Sequence, residues 1–266
     1  MDIEDTRLVE PPEDNLPVGL PEDNLQVAPP AAPQKTWVDR LQALFEVILL
    51  AGLASSILAA LPFTWGESGR EALLASVRVI SLYLLLETAI TFLLLWLVMR
   101  AHRETLVGLG LRWQRWRSDL LLGLALVPVL FGVNILVSVV FQVFFPKLFL
   151  DHNPLTELIR TPQDLGLFVA AAWLAGGIKE EVQRAFILRR FQTYLGGAGL
   201  GLVIWSINFG LGHYVQGVQG MVTAGALGLI FGIAYLVRGN LIVPIIAHGA
   251  YDTVALLSSW FFSAHR

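Results

Sequence analysis

The sequence predicts an all-α fold, a polytopic bundle of helices integral to a membrane. Three observations carry this. Of 266 residues, 55% are hydrophobic and only 15% charged, with a mean hydropathy of +0.65, whereas soluble domains carry about 25% charged residues. Apolar runs of about 20 residues recur along the chain, the length that crosses a hydrocarbon core about 30 Å thick. Basic residues gather in alternate connections between those runs, which is the bias that orients membrane helices.

The chain opens differently. Residues 1–34 hold eight acids against Arg7 alone, seven of the 13 prolines, and a near-repeat, PEDNLPV then PEDNLQV. Such a segment cannot bury enough apolar surface to offset the cost of ordering, so residues 1–36 are expected to be a disordered acidic tail ahead of a membrane domain over 37–266. No basic start followed by a short apolar run marks a signal peptide. Cysteine is absent, which removes disulfides, thiolate metal sites and a cysteine nucleophile.

Seven spans are expected, at 41–61, 79–99, 119–143, 163–185 (running on as far as 193), 197–213, 219–237 and 240–262. Six or eight remain open because Gly, Pro or charge interrupts several of them. The connection after the second span carries Arg100, Arg103, Arg112, Arg115 and Arg117; Arg189 and Arg190 follow the fourth, and Arg238 follows the sixth. The intervening connections are poorer in basic residues, which places the N-terminus on the cytoplasmic side of a cell membrane. Trp113 and Trp116, interleaved with arginines, suit a membrane interface better than a nucleic-acid surface. Gly197/Gly201 and Gly228/Gly232, each pair four apart, are expected to let helices approach closely.

Ionisable groups inside spans are costly, about 2.5–3.5 kcal/mol each on insertion scales, so each one needs a reason. Glu46, Arg78 and Glu87 are read as mutual partners or as side chains reaching the interface. The second half concentrates the rest. The stretch GGIKEEVQRAFILRRF (176–191) places Glu180, Glu181 and Arg184 at the end of the fourth span. His213 ends the fifth span, and His248 and Asp252 lie inside the seventh. His248 and Asp252 are four apart and share a helix face, while Glu181 is turned about 100° from Glu180. A carboxylate pair beside an arginine can split into one paired anion and one tunable base. Imidazoles from other helices can polarise a carbonyl, bind a metal or move protons.

These residues resemble the CPBP intramembrane proteases (CAAX proteases and bacteriocin-processing enzymes, also called the Abi family), which include the type II CAAX prenyl endopeptidases. The family shows EExxxR, FxxxH and HxxxN or HxxxD on separate helices. Phe209 and His213 match the second motif, His248 and Asp252 the third, and the resemblance covers about 160–255. The first motif departs, because only two residues separate Glu181 from Arg184. Aligning on the arginine puts Lys179 at the first-glutamate position, whereas aligning on the glutamates puts Arg184 one place early. A π-bulge would absorb that difference, and such bulges occur at functional sites.

The resemblance implies a membrane peptidase acting on membrane-associated proteins or peptides, with Glu180 as general base and Glu181 and Arg184 setting its charge state. It further implies His213 holding the water, and His248 and Asp252 stabilising the oxyanion. Glu180 or Glu181, His213 and His248 are then expected within about 8 Å of one another. No cofactor is expected. Zinc on Glu180, His213 and His248 is the alternative, although two histidines four apart on one helix are absent. The partners expected are membrane lipid and a peptide or membrane-protein substrate, with no nucleic acid. A non-proteolytic scaffold or immunity protein of the same fold, or a transporter, are the rival readings.

Overall fold

A computed structural model describes residues 35–63 and 75–263, so the expected tail, up to residue 34, lies outside the described residues. Helix α1 (Trp37–Leu50) starts on a capping box: the Asp39 backbone N–H donates to Thr36 Oγ1 at 3.2 Å, and the Thr36 N–H donates back to the Asp39 carboxylate at 2.8 Å. Gly52, at φ +98°, turns the chain in a conformation that favours glycine, and α2 (Leu53–Ala60) then continues the first span. Next come α3 (Val77–Ala101), capped by Ser76, and α4 (Trp116–Phe144), the longest apolar span, most of whose apolar surface faces outward as suits lipid.

The fourth rod is built in three parts. Helix α5 (Pro162–Ala172) opens with a Thr161–Asp164 capping box and Pro162 at its first position. A π-helical segment, Trp173–Glu180, follows without a break and leads into α6 (Glu181–Tyr194). Gly196 and Gly197, at φ +99° and +103°, form the tight turn into α7 (Ala198–Gly212). Helices α8 (Gly217–Arg238) and α9 (Ile242–Ser263) complete the chain, with Gly239 at a left-handed φ of +63° between them.

The regular elements of the described residues are all helices, without strands, and form seven rods. Five are long and apolar enough to cross a membrane: Trp37–Phe63, Val77–Ala101, Trp116–Phe144, Tyr214–Arg238 and Ile242–Phe262. The chain is therefore a multi-pass membrane protein. The α5–α6 rod carries more charge than that composition allows, yet it is the most enclosed. In α6, Val182, Gln183, Arg184, Ala185, Phe186, Ile187, Leu188 and Arg190 are all buried. Helices α1, α7 and α8 pack on α6, while α3, α5 and α9 pack on the π segment. Charges can be held there because protein, not lipid, surrounds them.

Two expectations are corrected. Glu46, Arg78 and Glu87 do not pair with one another or reach the interface together. Glu46 is buried and bonded to Arg190 at 2.6 Å and His102 at 2.5 Å. Glu87 is buried against Lys179 at 2.6 Å, and Arg78 is exposed. Sequence spacing pointed to neighbours within the first two spans, whereas the partners come from the fourth rod and from the α3–α4 connection. Among the paired glycines, Gly201, Gly228 and Gly232 do admit close neighbours: a Cβ on Gly228 would meet Phe209 at 2.8 Å. Gly197 does not. It has open space beside it and serves the turn through its positive φ.

Candidate active site

The rods set the depth of the site. The fourth runs on to Tyr194, so Glu180 lies in its middle rather than at an end. Helix α7 has 15 residues, about 22 Å at 1.5 Å per residue, short of the hydrocarbon core. Its C-cap, His213, lines the same cavity as Glu180.

The π segment decides which side chains face inward. Lys179, Glu180 and Glu181 are consecutive, yet all three make polar contacts in the interior. A regular helix would turn each about 100° from the last and send one outward. The wider π winding ends at Glu180 and lets them share one polar core, and the close approach of α9 depends on glycine there. A Cβ on Gly176 would lie 2.9 Å from Asp252 Oδ2 and 3.3 Å from His248 Nε2, and one on Gly177 would lie 3.3 Å from the Gly249 Cα.

The two glutamates occupy different environments. Glu181 is enclosed (side chain 0% exposed) and accepts from Arg184 Nη1 and from His248 Nδ1 at 2.8 Å. Arg184, also fully buried, lies over the rings of Phe209 (4.9 Å) and Phe231 (5.4 Å), a cation–π arrangement suited to a guanidinium whose Nε and Nη2 find no hydrogen-bond partner among the described residues. Glu180 keeps 20% of its side chain exposed, 3.5 Å from Lys179 Nζ and 3.9 Å from His248 Nε2. It lines a cavity of about 720 Å³, as do His213, His248 and Asp252. The cavity extends to residues 149–157 and to Gln216 and Gln219.

The role of Nδ1 in both histidines follows from its partner, because carbonyls and carboxylates only accept. His213 Nδ1–H donates to the Phe209 carbonyl at 2.8 Å, which in the neutral ring leaves the lone pair on Nε2. His248 Nδ1–H donates to Glu181, which turns Nε2 toward Glu180 and toward Asp252 Oδ2 at 3.6 Å. Phe231 stacks on His248 at 4.6 Å with the planes 16° apart, and fixes the ring. Phe209 stands between the imidazoles, 4.7 Å from His213 and 6.0 Å from His248. Among the described residues, no three His, Asp or Glu groups are arranged to hold a metal ion.

The structure thus brings Glu180, Glu181, Arg184, His248 and Asp252 into one contiguous network, and places His213 on the same cavity across the Phe209 ring. Sequence reasoning missed Phe231, Gly176 and Glu87. Phe231 and Gly176 give no local signal, since both fit ordinary packing. Glu87, a carboxylate in the middle of an apolar run, was visible but its partner was not.

Residues 162–254 match the family described as Rce1-like, type II CAAX prenyl endopeptidase. The matched segment begins at the first residue of α5 and ends just beyond Asp252, so it holds all six candidate residues. This supports the CPBP/CAAX protease family suggested by the three motifs. Comparison with curated proteins and with solved structures found no match.

Proposed function

We propose, from the membership of residues 162–254 in the Rce1-like family of CPBP/CAAX proteases, that the chain is an intramembrane endopeptidase cutting membrane-associated proteins or peptides with water activated by Glu180. The observation that carries the assignment is the contrast between the carboxylates. Glu181 is sealed and doubly bonded, while Glu180 alone of the two lines the cavity.

In this reading Glu180 takes a proton from water as the oxygen attacks the peptide carbonyl, and passes it to the departing amine. His213 Nε2 accepts a hydrogen bond from that water. The tetrahedral oxyanion needs donors. His248 supplies Nε2–H when it is the imidazolium, the form in which both ring nitrogens donate. Asp252 supplies O–H only when protonated, because an ionised carboxylate accepts but does not donate. Glu181 and Arg184 orient His248 and balance its charge. The N-terminus is on the cytoplasmic side, following the arginines of the α3–α4, α6–α7 and α8–α9 connections. The scaffold reading draws on one feature, the shortened EExxR spacing; against it, Arg184 still reaches Glu181.

The test is cleavage of a peptide library by purified protein in lipid nanodiscs, with and without a strong zinc chelator. Chelator-insensitive cleavage supports the base mechanism, chelator-sensitive cleavage supports zinc, and no cleavage of any peptide supports the scaffold.

A further inference from the structure

We propose that Lys179 and Glu87 form a positioning pair that holds the Glu180 carboxylate in the cavity, an inference that rests on the reading of Glu180 as the base. Lys179 Nζ is buried, 2.6 Å from Glu87 Oε2 on α3 and 3.5 Å from Glu180 Oε1. Glu87 is itself fixed, accepting from Ser55 Oγ at 3.0 Å and Thr91 Oγ1 at 3.3 Å. A chain of contacts therefore runs from α2 and α3 through one ammonium to Glu180. Glu87 lies outside the three motifs, and Lys179 falls within the first only when that motif is aligned on Arg184.

A buried lysine has three donors and must spend them. One goes to Glu87, and the Glu180 carboxylate is the other anion within reach. Of the cationic groups near Glu180, Lys179 is closer than His248, at 3.5 against 3.9 Å. Glu181 already holds Arg184 and His248, so Lys179 takes the position of a partner for Glu180 alone. The outer oxygen, Oε2, stays on the His248 side, where water and substrate would sit. Glu87 keeps the ammonium from closing fully onto Glu180 and masking it. The π segment makes this possible, since it points Lys179 and Glu180 into one interior.

Removing one member of a buried ion pair destabilises a protein, whereas replacing both with neutral groups is often harmless. The test therefore uses two double variants, Lys179→Gln/Glu87→Gln and Lys179→Met/Glu87→Leu, and either one that folds is decisive. The expected result is a melting temperature close to wild type, with kcat lower by about 100-fold, the cost of misplacing a reacting group by about 1 Å, and KM nearly unchanged. A double variant with wild-type stability and wild-type kcat overturns the proposal. Glu180→Gln separates the two claims: if it cleaves like wild type, the base reading fails. In that event infrared difference spectra, each protein against its own Glu180→Gln counterpart, isolate the Glu180 carboxylate band. Displacement of the band in Lys179→Gln/Glu87→Gln supports the contact, and an unmoved band overturns it.

Discussion

Replacing Glu181 with Gln removes the charge opposite Arg184, and the structure sets the size of the effect. Both side chains are 0% exposed, and Glu181 is the only ion-pair partner of Arg184 among the described residues. Among the described residues two guanidinium nitrogens already lack hydrogen-bond partners, and the Phe209 and Phe231 rings are what is left to offset an unpaired charge. Breaking a buried pair of this kind costs about 3–5 kcal/mol. At about 2–4 °C per kcal/mol, the melting temperature should fall by roughly 6–20 °C. Thermal unfolding in nanodiscs reads this directly, with two controls. Glu180→Gln should move the melting temperature little, because Lys179 keeps Glu87. Glu181→Leu/Arg184→Met should recover most of the loss by removing both charges. If Glu181→Gln melts within about 2 °C of wild type, less than 1 kcal/mol on the same scale, the buried pair does not hold α6 as described.

Three other outcomes follow from the same geometry. Gly176→Ala places a methyl 2.9 Å from Asp252 Oδ2, so cleavage should fall by at least about 10-fold with the protein still folded, checked by kcat/KM and melting temperature together; about 1.4 kcal/mol of lost transition-state stabilisation is tenfold. Asp252→Asn should retain cleavage because an amide donates as a protonated acid does, whereas Asp252→Leu should lose it; steady-state rates for the pair decide. Deleting residues 1–34 should leave membrane insertion and melting temperature unchanged, as their charge and proline content imply, and a large fall in melting temperature would refute this.

The membrane architecture was legible because it rests on local composition: the runs at 79–99 and 119–143 became α3 and α4 with ends shifted by a few residues. The motif residues were legible as spacing, and His248 with Asp252 needed only the four-residue rule. What the sequence concealed was tertiary. The Trp173–Glu180 segment could be anticipated only as a way to reconcile EExxR with EExxxR, and the close packing of α9 on its Gly176 and Gly177 is a tertiary contact that spacing does not encode. Asp119 marked the start of a span without revealing that Arg238 and Asn240, both at 2.6 Å, would seal it. Glu46 and Glu87 likewise found partners far away in sequence, which no periodicity encodes.

The roles proposed for the two carboxylates, Glu180 as the base and Glu181 as its support, can be told apart by rate. The most direct measurement is kcat for cleavage by wild type and by Glu180→Gln, on a peptide the wild type cuts and with both proteins shown to be folded. For Glu180→Gln kcat should fall by about 10²–10⁴-fold, the contribution of a general base, and for Glu181→Gln it should fall less. Equal rates for wild type and Glu180→Gln, or a larger loss in folded Glu181→Gln than in Glu180→Gln, would contradict these roles.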